Sequence, residues 1–212
     1  MPKDTFFNLP LDKREKIEEA AISEFVEFSF DNSSINRIVK GSGIPKGSFY
    51  QYFEDKKDLY KHIMSLIIAK KMEYLTPVLK NPFAHDFFVI VKEMYESGLG
   101  FARENPDFVV IGNRLMSDRS HVLYKEIIQD NMATSNQVFE QLLVMGIERG
   151  EIRGDIDLKL TAHLISALNV EISEYYQRVV AKREGDLLDG GILETISKFL
   201  ELLKYGIGAG PR

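Results

Sequence analysis

Residues 34–53, SINRIVKGSGIPKGSFYQYF, concentrate side chains suited to holding a polyanion. Two short helical segments flank a glycine-containing turn, the spacing of a helix-turn-helix, in which one helix braces another in the major groove of DNA. On the second segment Phe49 and Phe53 share a face at i, i+4 and are expected to pack inward. Lys46 and Tyr50 share a different face, with Gly47 and Gln51 beside it. That face is short, polar and aromatic: an ammonium, a phenol and an amide can reach phosphate oxygens and base edges. Gly43 falls four residues after Val39, where a sharp turn makes a Cβ costly. Residues 34–61 carry Arg37, Lys40, Lys46, Lys56, Lys57 and Lys61 against Glu54, Asp55 and Asp58, whereas residues 71–212 carry 16 basic and 21 acidic groups. A basic island in a chain of net charge −5 is either the footprint of a polyanion site or a solvated helical face, and charge alone does not choose.

Other chemistry is not spelled out. Cysteine is absent, which excludes disulfides, thiolate catalysis, Fe–S clusters and Cys-ligated zinc. His62, His85, His121 and His163 never stand at i, i+3 or i+4 from one another, and no HExxH occurs. Residues 206–210 resemble part of a dinucleotide loop, but no strand precedes them, and neither a nucleophile elbow nor a phosphate loop is present. No catalytic residue, metal or cofactor is therefore expected. The competing class, an all-helical enzyme or adaptor with an incidental basic surface, has no residue pattern of its own. Residues 107–117 are apolar nearly all round, which sets Asn113 and Arg114 where polar groups need partners. Either they reach the surface or bond internally, or they line a pocket for a small, largely apolar effector with Phe108, Met116, Tyr124, Gln137, Asn169 and Tyr175.

Helices must position all of this. The chain has 212 residues, 44% hydrophobic and 28% charged, enough for one large or two small domains. Asp12 is expected to cap a first helix whose stripe is Ile17, Ala21, Phe25 and Phe28. Ser34 caps a second, which ends at residues 41–43, and Pro45 opens a third that runs to Tyr52. A fourth runs from Lys56 to about Val78, where Pro77 and Pro82 break it. Further helices are expected over 83–104, 107–117, 120–149, 158–183 and 191–207, with no period-2 segment, so the class is all-α. The last two carry broad apolar faces: Leu160, Leu164, Ala167, Leu168, Ile172, Tyr175 and Val179, with Ile165, Tyr176 and Val180 beside them, then Ile192, Ile196, Phe199, Leu203 and Ile207, with Leu193 and Leu200. That is more apolar surface than one helix pair buries in its own domain, and it predicts a two-fold homodimer. No apolar run is long enough to span a bilayer and residues 1–16 do not read as a signal peptide, so a cytoplasmic protein without a membrane partner is expected.

The first 60 or so residues resemble the DNA-binding domain of the tetracycline-repressor (TetR) family of bacterial transcriptional regulators. The resemblance runs through 25–28, 30–31, Ser33-Ser34-Ile35, Ile38 and the unbroken stretch 43–53, then Lys56 and Leu59. It departs from the family's usual pattern at Val39, at Gly41-Ser42, which should end the second helix early, and at Pro45, which replaces a Ser or Thr cap. The resemblance implies a helix-turn-helix domain over residues 1–54, and a ligand-binding and dimerisation domain over 55–212. It implies a repressor of a palindromic double-stranded operator, released by a small effector. It also implies roles: Ser34 and Lys56 on phosphates, Tyr50 and Tyr52 on phosphates or thymine methyls, and Lys46, Ser48 and Gln51 at base edges. Gly47 allows close backbone approach, and Arg37 either binds phosphate or pairs with a carboxylate.

Overall fold

Among the residues that the computed structural model describes, 1–80, 82, 85–175 and 190–208, the regular structure is helical apart from one isolated bridge between Ile152 and Gly208. The all-α class holds. A helix that the periodicity does not announce, α1 (Asp4–Phe7), precedes the rest. In α2 (Leu11–Glu27) Pro10 occupies the cap position, so Asp12 lies within the first turn and does not cap it. Its carboxylate still favours the helix through the macrodipole. The stripe Ile17, Ala21 and Phe25 is buried as expected.

Helix α3 (Ile35–Ser42) runs through Gly41 and Ser42, contrary to the early end expected there. The Ser42 hydroxyl donates to the Ile38 carbonyl at 2.9 Å, and at Gly41 a Cβ would stand 3.3 Å from that of Ala20, so the glycine lets α2 and α3 pack closely. Gly43 ends the helix at φ 70°, the left-handed conformation that the turn demands. Then come α4 (Lys46–Tyr52) and α5 (Lys56–Lys80). Pro77 does not break α5: it sits in the final turn, where its missing N–H removes one ladder bond and only three more residues follow. After these stand α6 (Phe87–Glu104), α7 (Pro106–Ser117), α8 (Val122–Glu148), α9 (Leu158–Tyr175) and α10 (Gly190–Ile207). Residues 176–183 of the helix expected over 158–183, with Tyr176, Val179 and Val180, lie outside the described residues.

The chain divides into two compact units, Met1–Met72 with Glu104–Ile127, and Glu73–Arg103 with Ile128–Arg212. The first has a core of Phe6, Ile17, Phe25, Ile38, Phe49, Phe53, Leu59 and Ile63, all at most 1% exposed. Helix α7, expected at the centre of its domain, packs against α2 in this unit and buries only Ile111 and Leu115. The second unit is built on Phe87, Ile90, Val91, Phe139, Leu143, Ile165, Ile196 and Leu203. No described helix is long and apolar enough to cross a membrane.

Candidate nucleic-acid interface

Helix α4 is seven residues long, contains Gly47 and has no side-chain cap at its N-terminus, so little in its own sequence holds it helical. Tertiary packing does. Phe49 and Phe53 are 0% exposed, and the Phe53 ring lies 4.9 Å from Phe6. Burial of each ring stabilises by about 2 kcal/mol. With that face fixed inward, Lys46, Gly47, Tyr50 and Gln51 are exposed, and Ser48 and Tyr52 are half-buried. A Cβ on Gly47 would meet nothing within 4 Å, so the backbone there is open to a flat or grooved partner.

The other predicted contacts sit on neighbouring elements and are employed differently. Arg37 on α3 pairs with Glu24 of α2 through Nε and Nη2, at 2.9 and 2.6 Å, and its Nη2 also donates to the Asn32 carbonyl at 2.8 Å. Its guanidinium lies 3.9 Å over the Phe28 ring, and the bond to Glu24 raises its pKa further. Of the two readings left open for Arg37, the described geometry is the carboxylate pair. Glu24, only 6% exposed, also accepts the N–H of the N-cap residue Ser34 at 2.7 Å, while the Ser34 hydroxyl makes no capping bond. Its position three residues after Ala21, on the buried stripe of α2, is the one sign of this role in the sequence. The Lys56 ammonium donates to the carbonyls of Phe30, Ser33 and Asp31 at 2.5, 2.8 and 3.3 Å, and lies 4.6 Å over the Phe30 ring. Burial lowers its pKa. To hold a phosphate it would have to leave those carbonyls.

Lys57 and Lys61 both reach Glu126 of α8, at 3.1 and 2.5 Å. Their hydrogen bonds, Lys61's first, hold the Glu126 carboxyl below its ordinary range. Four of the six cations in the basic island are thus engaged inside the fold, by Glu24 and Glu126 from outside it and by backbone carbonyls. Of these six, Lys40 and Lys46 stay exposed and have no partner among the described residues. The cations left open in the basic island stand on the outer face of α4 and near the end of α3.

The effector candidates divide between the two units. Phe108, Asn113, Arg114, Met116 and Tyr124 belong to the first unit, and Gln137, Asn169 and Tyr175 to the second. Arg114 donates to the Phe25 carbonyl at 2.7 Å and so caps the C-terminus of α2, an internal role. Gln137 and Tyr175 are exposed. In the second unit Tyr95 has a buried hydroxyl with no hydrogen-bond partner among the described residues, and its ring lies 6.3 Å from Phe199. Burial raises its pKa. Among the described residues no three metal-ligating side chains converge.

Comparison with known proteins fits this geometry. Residues 17–63 match the family described as "Bacterial regulatory proteins, tetR family". A solved TetR family transcriptional regulator from Chloroflexus aurantiacus J-10-FL is 30% identical, with 98% of this chain and 99% of that one covered and a TM-score of 0.68. The uncharacterized HTH-type transcriptional regulator YvdT of Bacillus subtilis (strain 168) is 27% identical over 83% of this chain and 86% of its own length. The transcriptional regulator FadR from Bacillus subtilis, solved in complex with stearoyl-CoA, shares the fold at 19% identity and a TM-score of 0.69, over 91% of this chain and 98% of that one.

Proposed function

The chain belongs to the TetR family of bacterial transcriptional regulators, DNA-binding proteins of the helix-turn-helix type, and on that premise we propose that it is a repressor that reads a palindromic operator with α4. The observation that carries the proposal is the two-sidedness of α4: Phe49 and Phe53 anchor one face completely while Lys46, Gly47, Tyr50 and Gln51 stand exposed on the other. Lys46, Ser48 and Gln51 contact base edges, Tyr50 and Tyr52 contact phosphates or thymine methyls, and Gly47 admits the DNA backbone or groove wall. Ser34 contacts a phosphate, Lys56 braces the turn before α3 through its three carbonyls, and Arg37 acts through Glu24 by fixing α3. Residues 1–54 form the reading head, and the remainder binds effector and a second copy.

Two recognition helices reach successive major grooves only in a dimer. On α9 Leu160 and Leu164 are 54% and 48% exposed and Tyr175 53%, and on α10 Leu202 and Tyr205 are 67% and 87% exposed. These faces pair two-fold. The effector is an apolar molecule with one hydrogen-bonding group, held in the second unit, where the Tyr95 hydroxyl lacks a partner. A long-chain acyl thioester of the kind seen in the FadR complex is the first probe. Helices α5 and α8 each begin in the first unit and continue into the second, and a shift in either reaches the reading head. Footprinting on genomic fragments tests the reading. A protected palindrome, bound more weakly at high salt and released by the acyl thioester, is expected. Equal binding to all fragments would refute it.

A further inference from the structure

The recognition helix is closed by a segment that lies outside the helix-turn-helix. A helix leaves its last four carbonyls without partners, and in a seven-residue helix those are most of the carbonyls it has. In α4 they belong to Phe49, Tyr50, Gln51 and Tyr52. The first accepts the Phe53 N–H at 2.8 Å. The other three are taken by two residues at the far N-terminal side: Lys3 Nζ donates to the Tyr50 carbonyl at 2.8 Å, the Thr5 hydroxyl to that of Gln51, and the Lys3 N–H to that of Tyr52 at 2.8 Å.

We propose that Lys3 and Thr5 are positioning residues for operator recognition, which set the orientation of Tyr50, Gln51 and Tyr52 by holding those residues' own carbonyls. The proposal rests on α4 being the recognition helix. A fixed carbonyl fixes the backbone dihedrals on either side of it, and these set the direction of the attached side chain. The ammonium of Lys3 also meets the negative end of the helix dipole. The segment itself is pinned: Phe6 is 0% exposed, and its ring lies 4.9 Å from Phe53 and 5.1 Å from His62. The family match begins at residue 17, so this clasp is no part of the matched motif. Lys3 and Thr5 are exposed, and their loss leaves the aromatic core in place.

The rival role for Lys3 is a direct phosphate contact, and Thr5 separates the two because its removal changes no charge. The experiment uses the full chain and its footprinted operator beside a scrambled duplex of equal length, at several salt concentrations, with Thr5→Val, Lys3→Met and Thr5→Ser. Operator affinity should fall about 5- to 10-fold for each bond lost. Scrambled-duplex affinity and the salt slope of Thr5→Val should match the parent, and Thr5→Ser should restore operator binding. Variants that bind operator as the parent does would overturn the inference while leaving the regulator reading intact. So would a Lys3→Met that weakens both duplexes equally and lowers the salt slope by about one, beside an unaffected Thr5→Val. A parent with no preference for any fragment would overturn the regulator reading and this inference with it. If Lys3→Met fails to fold, Thr5→Val decides alone.

Discussion

Lys46 and Lys56 are two cations ten residues apart that carry opposite assignments. Lys46 is exposed and unpaired, so Lys46→Ala should weaken specific DNA binding by about 1–3 kcal/mol and leave thermal unfolding unchanged. Lys56 serves three carbonyls of the turn before α3, so Lys56→Met should cost about 1–3 kcal/mol of stability in denaturant titrations, with DNA binding reduced as a consequence. A Lys56→Met protein that unfolds like the parent but has a shallower salt dependence would reassign Lys56 to phosphate. Gly47 offers a test in which two readouts move in opposite directions. Its Cβ position is open, so Gly47→Ala should stabilise α4 by about 0.5–1 kcal/mol. If the DNA approaches the backbone there, the same methyl group obstructs it and operator affinity falls. Stability up with affinity unchanged would remove Gly47 from the interface.

At the scale of elements, the first unit is held by carboxylates that come from a distance. Glu126 at the start of α8 joins Lys57 and Lys61 of α5, and its depressed pKa fixes the sign of the pH dependence. A carboxyl held low in the folded state adds stability that is complete above the ordinary carboxylate pKa and is lost as pH falls through the lowered value. The melting temperature of Glu126→Gln should therefore lie below the parent's at pH 7, and the gap should close below about pH 4. A gap that is constant with pH would mean that the side chain matters for packing and not for charge. These long-range partners mark the limit of what the sequence discloses. Apolar spacing at 3.6 residues gives the helices, and Phe49 and Phe53 at i, i+4 give the inward face of α4. Periodicity says nothing about a cap donated from residue 3 to residue 50, and α1 is too short to show a stripe. Pro77 misleads because a proline's local cost depends on how close the helix end is. The cations mislead because Glu24 and Glu126, which neutralise Arg37, Lys57 and Lys61, lie outside the basic segment.

Under the proposed function the whole molecule brings two copies of α4 to one duplex, and the burial pattern points to where the copies would meet. The stripe of the last helix, read as surplus, is largely spent in its own protomer: Ile196, Phe199, Leu200 and Leu203 are buried in the core of the second unit. The surplus lies on another face, with Leu202 and Tyr205 on α10 and with Leu160 and Leu164 one turn apart on α9. An isologous interface requires one patch to be complementary to itself, and exposed apolar side chains on α9 and α10 would meet that demand with four helices at the axis. A charge on this face would be desolvated in a dimer and hydrated in a monomer, so it acts on assembly and spares the fold. Leu164→Glu should sediment as a single 24.3 kDa chain at micromolar concentration, and the parent at twice that mass. Its helical content and cooperative unfolding should persist. It should still touch one half-site, but the second half-site, about 34 Å away along the duplex, no longer adds to affinity. Operator binding should then fall toward that of an isolated half-site and become insensitive to the spacing between half-sites. A Leu164→Glu chain that remains dimeric and spacing-sensitive would move the two-fold axis off α9 and α10.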